Sequence, residues 1–407
     1  MMKNNSEKQF DSCQTTKKKS IPLKIAWVVH NPNRNEGRVY KESQTLAHAG
    51  YEVTIFAMWE EGLPVTEQQG DVNIIRLPSL ILHKIKFPFK QMRSGLLWIS
   101  YQIQLLIHLI AYKPNIIHCM NFYTLHIGYL MKKLFNVPYV YDSHDLFIGQ
   151  LHMNNKPPLI KRLFMLREKF LAKNASAVIQ TTESRKKQFE KWYNISAQVI
   201  MNKTLSPTLG KNVSSTHNHP EICSTSKKKL VYVGSVTQSR GLEQLIEATR
   251  NMNDVQIFIL GHSSGAFGNN LLGKNKERIV FLPAVKQDEV AQALQVFDLG
   301  ITLIQNSCLS YCFSCPTKLW ELMSAGIPQI ASDFPEIRKV IIENEIGPIG
   351  RVVNPNDIKE IQNAIIEMLA NPEEMYVYRQ NCLKLREILS WEKESQKLVR
   401  LYHSLCT

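Results

Sequence analysis

The chain has 407 residues, of which 44% are hydrophobic and 21% are charged. This composition excludes general disorder, and the length exceeds what one hydrophobic core usually serves, so we expect two domains. The net charge of +14 arises in residues 1–210, which hold 28 Lys/Arg and 14 Asp/Glu, whereas residues 211–407 hold 21 of each. The positive charge of the first half would attract a nucleic acid, an anionic membrane face or a phosphorylated acceptor. The alternative is a solvated lysine-rich surface without a binding partner.

Eight cysteines, most of them scattered along a long chain, argue against a secreted disulfide scaffold. Residues 1–20 are polar and are predicted to be a disordered leader. No apolar stretch of secretory type separates them from the first strand, which favours a cytosolic protein.

Residues 94–112 carry no formal charge, but polar side chains interrupt them, so they predict a buried or interfacial helix rather than a membrane span. Just upstream, basic residues alternate with aromatic ones, which fits an anionic membrane interface or, equally, a basic loop leading into a core helix. The residues concerned are His83, Lys84, Lys86, Phe87, Phe89, Lys90, Arg93 and Trp98.

Apolar β-branched runs predict strands, and amphipathic runs predict helices. In the first half the predicted elements are strand Lys24–His30, helix Gly37–Ala49, strands Glu52–Phe56 and Asn115–Cys119, helix His126–Leu134, strands Pro138–Tyr141 and Ala177–Gln180, a helix from Thr182, and strand Ala197–Met201. In the second half they are strands Lys229–Val233, Val255–Leu260, Ile279–Leu282, Leu299–Leu303 and Gln329–Ala331, with helices Leu242–Arg250, Asp288–Val296, Lys318–Ser324, Ile358–Leu369 and Trp391–Leu405.

This alternation predicts an α/β fold of two doubly wound, Rossmann-like domains facing a central cleft. The predicted organisation is a leader at 1–20, an N-terminal domain at 21–205, a polar linker at 206–227, a C-terminal domain at 228–385, and a helix at 386–407 that crosses back to the N-terminal domain. Ligands of such sheets bind beyond the carboxyl ends of the strands, so we expect the site in the cleft.

The segment 314–328 reads SCPTKLWELMSAGIP and begins a predicted helix. Pro316 suits a first helical turn, where free N–H groups and the helix dipole form a site for a diphosphate. Lys318 adds a full charge there, and Glu321, on the same face, can accept the hydroxyls of a ribose. An ordinary capped helix with a surface lysine and glutamate is the alternative.

The segment 233–242 reads VGSVTQSRGL and also passes from a strand into a helix. Gly234 allows close approach of the backbone to a ligand, and Arg240 offers a planar fork of donors where a phosphate would meet the helix start. A lone glycine-rich turn is weak evidence, but two cationic helix starts in one domain are stronger.

In the first half, Gly37 begins the first helix and is a second candidate for close approach to a donor. Of Arg34 and Arg38, one is expected to be a surface charge. His144 follows a predicted strand in the run YDSHDL and is suited to bond a donor sugar or an attacking hydroxyl. His118 lies within a strand and is expected to be a satisfied core residue.

These segments resemble the retaining nucleotide-sugar glycosyltransferases of family 4, which have the GT-B fold. The resemblance covers nearly the whole chain from Lys24 to about Leu405, apart from the linker. The motifs that carry it are GRVYKE from Gly37, GYEV from Gly50, Pro114–His118, DSHD from Asp142, Asn202, Gly234 with RGL from Arg240, PTKLWE from Pro316, and SWE from Ser390.

The resemblance implies roles for individual residues. Arg240 and Lys318 would neutralise the donor diphosphate, and His144 would lie beside the transferred sugar, so these three are expected to be catalytic. The expected donor-binding residues are Gly37, Gly234, Ser314, Thr317 and Glu321, with Glu321 holding the ribose. Family members often carry a glutamate eight positions before the equivalent of Glu321, where this chain has Phe313. Sugar recognition should therefore differ, with backbone N–H groups around Ser314 as one possibility.

The reaction implied is front-face displacement without a protein nucleophile, moving a hexosyl or N-acetylhexosaminyl group from a nucleotide diphosphate sugar to a saccharide or lipid-linked acceptor. The expected setting is bacterial surface polysaccharide assembly (lipopolysaccharide, capsule or exopolysaccharide), in the cytoplasm or peripherally on the inner face of the cell membrane. The chain has no Asp-x-Asp pair, so no metal and no other cofactor is expected. No recognised nucleic-acid-binding module is present, so no nucleic acid is expected as a partner.

Three rival interpretations are weaker. Cys308, Cys312 and Cys315 have the spacing of radical enzymes that bind an iron–sulfur cluster and S-adenosylmethionine, but they occur late in the chain, so buried or incidental thiols are favoured. A non-catalytic nucleotide-sugar-binding module is supported by Phe313. A nucleotide-sugar epimerase shares the architecture but matches the motifs less well.

Overall fold

The computed structural model describes residues 22–34, 36–78, 90–206, 220–263, 265–286 and 289–406. The predicted leader, the basic and aromatic residues between His83 and Phe89, and most of the predicted linker lie outside these ranges.

The first half forms an eight-stranded sheet in the order β3-β4-β2-β1-β5-β6-β7-β8. Its strands are Lys24–Val28 (β1), Glu52–Met58 (β2), Thr66–Gln69 (β3), Val72–Leu77 (β4), Ile116–Met120 (β5), Tyr139–Ser143 (β6), Ala177–Gln180 (β7) and Gln198–Val199 (β8). All pairs are parallel except β3 with β4. The described helices of this half are Gly37–His48 (α1), Lys90–Tyr112 (α2), Leu125–Phe135 (α3), Leu151–Asn154 (α4), Pro158–Asn174 (α5) and Glu183–Tyr193 (α6).

The second half forms a six-stranded parallel sheet in the order β11-β10-β9-β12-β13-β14. Its strands are Lys228–Val233 (β9), Val255–Gly261 (β10), Ile279–Pro283 (β11), Leu299–Thr302 (β12), Gln329–Ser332 (β13) and Gly350–Val353 (β14). The described helices are Pro220–Ser224 (α7), Leu242–Ala248 (α8), Gly265–Lys274 (α9), Val290–Leu294 (α10), Leu309–Cys312 (α11), Thr317–Ser324 (α12), Pro335–Ile341 (α13), Ile358–Ala370 (α14), Pro372–Ile388 (α15) and Trp391–Cys406 (α16).

Both faces of each sheet are buried, as expected for parallel strands covered by helices. Along β1, Ala26 and Val28 belong to the apolar cluster on one face, while Ile25 and Trp27 belong to the cluster on the other. The predicted α/β architecture with two doubly wound sheets is confirmed.

The last helix, α16, packs against α1 of the first half. Its residues Trp391, Leu398 and Tyr402 are part of the apolar cluster that also contains Trp27. The indole N–H of Trp391 donates to Thr45 Oγ1 at 3.0 Å, which adds a polar contact to this packing.

The structure differs from the sequence prediction in several places, including the unpredicted elements β4, β14, α5 and α15. The edge strand β3 pairs antiparallel with β4, and its sequence TEQQ has no apolar face by which to predict it. A short helix, α7, lies inside the range predicted as linker, and its Ile222 is buried. Pro316 is the N-cap of α12, with extended backbone, rather than a residue of its first turn.

Candidate functional site

Gly234 and Lys318 meet where strand β9 ends. Gly234 follows β9 directly, and its φ of +117° is one that other residues rarely adopt. A Cβ atom at this position would lie 3.7 Å from the Nζ of Lys318. The fold thus brings these two predicted site residues together.

Lys318 is the second residue of α12 and is buried. Its Nζ lies 3.6 Å from the centroid of the Tyr232 ring, a cation–π contact. Burial lowers the pKa of Lys318 well below its ordinary value, the charge of Arg240 lowers it further, and Glu321 acts in the opposite direction. An anion bound here would stabilise the charged ammonium, so the position suits a phosphate.

Arg240 reaches the same region from the loop between β9 and α8. Its Cζ lies 5.1 Å from the centroid of the Tyr311 ring. The loop is fixed on both sides of Arg240, because Ser239 has a φ of +64° and accepts a hydrogen bond from Gln305 N at 3.0 Å, and Gly241 has a φ of +76°. Because the charge of Arg240 lowers the pKa of Lys318, the two predicted phosphate-binding cations are close enough to interact electrostatically.

Glu321 lies one turn after Lys318 on α12 and is also buried. Burial and the charge of Arg38 lower the pKa of Lys41, on α1, to about 7, while Glu42 and Glu321 act to raise it. Glu321 thus acts electrostatically on Lys318 of the second half and on Lys41 of the first.

Ser314 and Thr317 flank the start of α12. The Ser314 hydroxyl donates to the carbonyl of Tyr311 at 2.7 Å, and the Ser314 N–H donates to the same oxygen at 3.1 Å. In this structure the Ser314 N–H is therefore engaged within its own turn. Thr317 is half-buried and is the first residue of α12.

In the first half, Gly37 is half-buried and is the first residue of α1. His144 follows β6, is half-buried, and has its Nδ1 3.9 Å from a carboxylate oxygen of Asp145. Burial lowers the pKa of His144, so its imidazole is biased towards the neutral form, which can accept a proton. Among the described contacts, those of His144 are with its own half of the chain.

Arg38 is the centre of a buried ion cluster that sequence reasoning did not identify. Its guanidinium donates to both carboxylate oxygens of Asp142, at 3.0 and 3.1 Å, and lies 2.8 Å from Glu42. Arg34, in contrast, is an exposed partner of Glu60. One of the two arginines is thus a surface charge, as expected, and the other is buried.

His118 is fully buried beside this cluster, stacked on Trp27 and bonded through Nδ1 to the Tyr402 hydroxyl at 2.6 Å. Burial raises the pKa of Asp142, but the charge of Arg38 and the imidazole of His118, whose Nε2 lies 3.5 Å from the carboxylate, outweigh it and hold the pKa low. The expectation of a core histidine is consistent with this environment.

Within the described ranges, Glu42, His118 and Asp142 are the one set of ligand-type side chains whose atoms all lie within 4.8 Å of one another. The Arg38 guanidinium already pairs with both carboxylates, which argues for an ion-pair cluster rather than a metal site. The sulfur atoms of Cys308, Cys312 and Cys315 do not form such a set in the described structure, and burial raises the pKa of each thiol. This geometry disfavours an iron–sulfur cluster.

Phe313 packs against the apolar core of the first half, and its carbonyl accepts a hydrogen bond from Thr182 at 2.8 Å. The position at which family members often carry a sugar-contacting glutamate therefore joins the two halves here.

Sequence reasoning also missed Tyr232 and Tyr311, the rings beside the two cations. Tyr232 lies inside an apolar strand and Tyr311 in a cysteine-rich run, so neither pattern indicated a ligand site.

Two family models match the chain, and together they span most of it. The model for glycosyltransferase family 4 matches residues 36–202, and the model for glycosyl transferases group 1 matches residues 227–371.

Two curated relatives are mannosyltransferases. The phosphatidyl-myo-inositol mannosyltransferase of Mycobacterium leprae is 25% identical over 211 residues, which are 49% of this chain and 53% of the relative. The chitobiosyldiphosphodolichol beta-mannosyltransferase of Candida albicans is 23% identical over 255 residues, which are 57% of this chain and 54% of the relative. The chain thus matches about half the length of each of these relatives.

Similar solved structures cover the chain more completely. Sucrose-phosphate synthase from Thermosynechococcus elongatus gives a TM-score of 0.76 at 20% identity, over 94% of this chain and 99% of that one. WaaG, a glycosyltransferase involved in lipopolysaccharide biosynthesis, gives 0.67 at 14% identity, over 92% and 98%. At these identities the similarity establishes the fold, which is GT-B.

Proposed function

Because the chain belongs to glycosyltransferase family 4, we propose that it transfers a hexosyl or N-acetylhexosaminyl group from a nucleoside diphosphate sugar and retains its anomeric configuration. One observation carries the proposal. Arg240, from the loop between β9 and α8, and Lys318, from the start of α12, are near each other at the end of β9, beside a glycine that leaves room for a ligand.

In the proposed reaction, the acceptor hydroxyl attacks the anomeric carbon from the side on which the diphosphate leaves. Arg240 and Lys318 stabilise the negative charge that develops on the leaving diphosphate, and Glu321 accepts hydrogen bonds from the ribose. His144 lies beside the sugar, where its neutral imidazole can bond a hydroxyl. Gly37 and Gly234 leave space for the donor, and Ser314 and Thr317 line the start of α12.

We further propose that the acceptor is lipid-linked and belongs to bacterial surface polysaccharide assembly. The names of the two curated relatives specify lipid acceptors that contain phosphate, and one similar structure acts in lipopolysaccharide biosynthesis. No described helix is long and apolar enough to cross a bilayer. The location that we propose is peripheral, on the inner face of the cell membrane.

An exposed apolar surface on the first half supports this location. We call it the apolar face. It consists of Ile99, Ile103, Ile107 and Ile110 of α2, Leu130, Leu134 and Phe135 of α3, and Leu159, Leu163, Leu166 and Phe170 of α5. The three helices are neighbours, because Ile103, Leu130 and Arg167 line one shallow pocket. Apolar patches of this extent on soluble proteins commonly mark a site of contact with a partner or a membrane.

The charge around the apolar face suits an anionic membrane. Lysines and arginines number two on α3 and five on α5. The three helices carry one carboxylate, Glu168, and it is buried. Apolar side chains surrounded by basic ones favour docking to a bilayer surface with acidic headgroups.

The donor site is tested by thermal shift with a panel of nucleotide sugars, followed by transfer assays with Arg240→Ala and Lys318→Ala. Each substitution should lower turnover by about 100-fold, because a lost transition-state cation costs about 3 kcal/mol. Arg250→Ala, an exposed arginine paired with Glu247, is the matched control and should be unaffected. Near-normal transfer by both site variants would refute the assignment, and activity that vanishes in chelator would contradict the metal-free mechanism.

The configuration of the product needs its own test, since one relative's name specifies a beta linkage. Proton NMR of the product, taken before it can mutarotate, should show the anomeric configuration of the donor. An inverted product would leave the transferase proposal standing but rule out front-face displacement.

Membrane docking is tested by sedimentation with vesicles of phosphatidylcholine alone or with phosphatidylglycerol. The protein should bind the acidic vesicles, and the binding should weaken in about 0.5 M salt, where screening shortens to a few ångströms. Ile103→Glu with Leu163→Glu should lower binding about tenfold or more, whereas Ile366→Glu, an equally exposed isoleucine on α14, should not. Equal binding to both kinds of vesicle would exclude the electrostatic part of the proposal.

The packing of Phe313 against the first half favours one alternative, a nucleotide-sugar-binding protein without transferase activity. The two functions differ in turnover. Donor binding with neither transfer to any lipid-linked or saccharide acceptor nor donor hydrolysis would favour the alternative.

A further inference from the structure

The short helix α11 belongs to the second half in sequence and packs against both halves, with Tyr311 and Cys312 directed to the core of the second half. Leu309 and Phe313, at its two ends, pack against the apolar core of the first half. A Cβ atom on Gly149 would lie 3.3 Å from the Leu309 Cβ, so the absence of a side chain there permits the close approach. The segment therefore joins the two halves.

Arg185 forms hydrogen bonds with Ser310 at the centre of this segment. The side chain is buried, and its Nη2 donates to the Ser310 carbonyl at 2.9 Å and lies 2.7 Å from an oxygen of Asp145. Asp145 accepts a hydrogen bond from the Ser310 hydroxyl at 3.1 Å, which closes the triangle. The Arg185 Nη1 donates to the His144 carbonyl at 2.5 Å. One guanidinium thus contacts both the backbone of His144 and the segment that carries Tyr311.

Tyr311 follows Ser310 directly, and its ring lies 5.1 Å from the guanidinium carbon of Arg240. Because the two residues are adjacent, displacement of Ser310 would also displace the Tyr311 ring that packs against Arg240. The backbone carbonyl of Tyr311 is held as well, by the hydroxyl and N–H of Ser314.

A second set of contacts connects the first half to the loop that carries Arg240. Asn154 donates to the Ser307 carbonyl at 2.8 Å, and the Ser307 hydroxyl donates to that of Ser239 at 2.7 Å. Ser239 immediately precedes Arg240. The surroundings of this cation are thus held by two sets of contacts that originate in the first half.

We infer that Arg185 and Asp145 are positioning residues: by holding Ser310 they fix Tyr311 beside Arg240, so that the first half sets the diphosphate site of the second. This inference rests on the proposed function of Arg240. Neither residue needs to touch the donor. We call Arg185, Asp145 and Ser310 the clamp. Because the clamp bonds both to the backbone of His144 and to the segment that carries Tyr311, it fixes the positions of His144 and Arg240 relative to each other.

The test is isothermal titration of the full chain with UDP, GDP and ADP. For the nucleotide that binds best, Ser310→Ala should weaken binding about tenfold, since it removes the hydroxyl bonds to Asp145 and Arg185. Arg185→Lys keeps a positive charge but loses the fork that reaches both sides, so it should weaken binding by a similar factor. Ser43→Ala is the matched control, because it removes one buried hydroxyl bond, to Tyr40, within the first half.

A double-mutant cycle separates positioning from general stability. If Ser310 acts through Arg240, then Ser310→Ala should have almost no further effect on nucleotide binding in an Arg240→Ala background. In the Arg240-containing protein it should raise the donor KM more than it lowers kcat. Equal losses in the two backgrounds would overturn the inference.

The outcomes for the two proposals are distinguishable. Failure of the unmodified protein to bind any of the three nucleotides would contradict the proposed function itself. Binding by the unmodified protein, with unchanged affinity in both Ser310→Ala and Arg185→Lys, would contradict the clamp alone. Weaker binding in both, with a normal melting temperature and a normal control, is the result we expect.

Discussion

Lys318 is held where its own charge is disfavoured. Burial and Arg240 both lower its pKa in the free protein, and a bound diphosphate would raise it again by supplying negative charge. The complex would then hold more protons than the free components, so nucleotide affinity should rise as the pH falls through the range between the two pKa values.

This prediction is measured by calorimetry of nucleoside diphosphate binding at pH 8, in two buffers of different ionisation enthalpy. Proton uptake should accompany binding to the unmodified protein. Lys318→Arg remains charged at every accessible pH, so it should bind with little or no uptake. Undiminished uptake in that variant would assign the proton to another group.

Glu168 offers a pH prediction far from the proposed site. Burial raises its pKa to about 7, although hydrogen bonds from Tyr141 and Tyr193, at 2.7 and 2.6 Å, favour the carboxylate. The folded state therefore holds a proton that the unfolded chain releases above its ordinary pKa of 4.5. The stabilisation is complete at low pH and is lost as the pH rises towards 7.

Glu168→Gln removes this titration but keeps groups that can bond both tyrosines. Relative to the unmodified protein, the variant should gain about 2 kcal/mol of unfolding free energy between pH 5 and pH 8. Urea unfolding at the two pH values measures the change. Glu183→Gln, on the exposed start of α6, should show almost none.

At the scale of single residues, the sequence alone identified those candidate site residues whose role follows from their local position. Gly234 and Arg240 lie between strand β9 and helix α8, and Lys318 lies at the start of helix α12, and the starts of these elements are visible in the pattern. The partners of Arg38 and Arg185 are not, because Asp142 and Ser310 are more than a hundred positions away in the chain. Long-range pairs of this kind depend on how the sheets are assembled.

At the scale of elements, helix α8 depends on the residue that precedes it. Gly241 has a φ of +76°, and a Cβ atom there would overlap the carbonyl oxygen of Leu303. Gly241→Ala should therefore lower the unfolding free energy by about 2 kcal/mol or more, through backbone strain and steric overlap together.

Gly62→Ala provides the matched comparison. Gly62 also has a positive φ, of +84°, but no atom lies within 4 Å of the added Cβ. It should cost about 1 kcal/mol, the backbone strain alone. Denaturant titration of both variants measures the difference in unfolding free energy. Equal losses would mean that the backbone around Leu303 shifts to accommodate the added Cβ atom without a further loss of stability.

Elements with an apolar pattern could be predicted from sequence, and most bounds agree within two residues. The strands β1, β2, β5, β6 and β7 are mostly apolar, with polar residues mainly at their ends, because both faces of the sheet are covered. The 17-residue helix α5 was not predicted, because its outward side carries Leu163, Leu166 and Phe170 instead of polar residues. A helix with apolar residues on both sides lacks the periodicity by which surface helices are recognised.

For the whole molecule, the alternation of strands and helices was enough to predict two doubly wound sheets. The contacts between the halves were beyond this reasoning. They involve single polar side chains, such as Ser184 at the start of α6, which bonds to Glu336 at the start of α13 through both its N–H and its hydroxyl. Nothing in the local sequence distinguishes these from solvated surface residues.

The crossing of α16 to the first half has a practical consequence for dissecting the protein. A fragment ending at residue 206 would lack four large side chains of its own interior, Trp391, Leu398, Leu401 and Tyr402, and would expose the pocket that they fill. Such a fragment should aggregate or stay partly unfolded alone, yet recover a sharp melting transition when mixed with a synthetic peptide of residues 390–406. A peptide with Tyr402→Phe should be captured less tightly, because His118 would lose its hydroxyl partner.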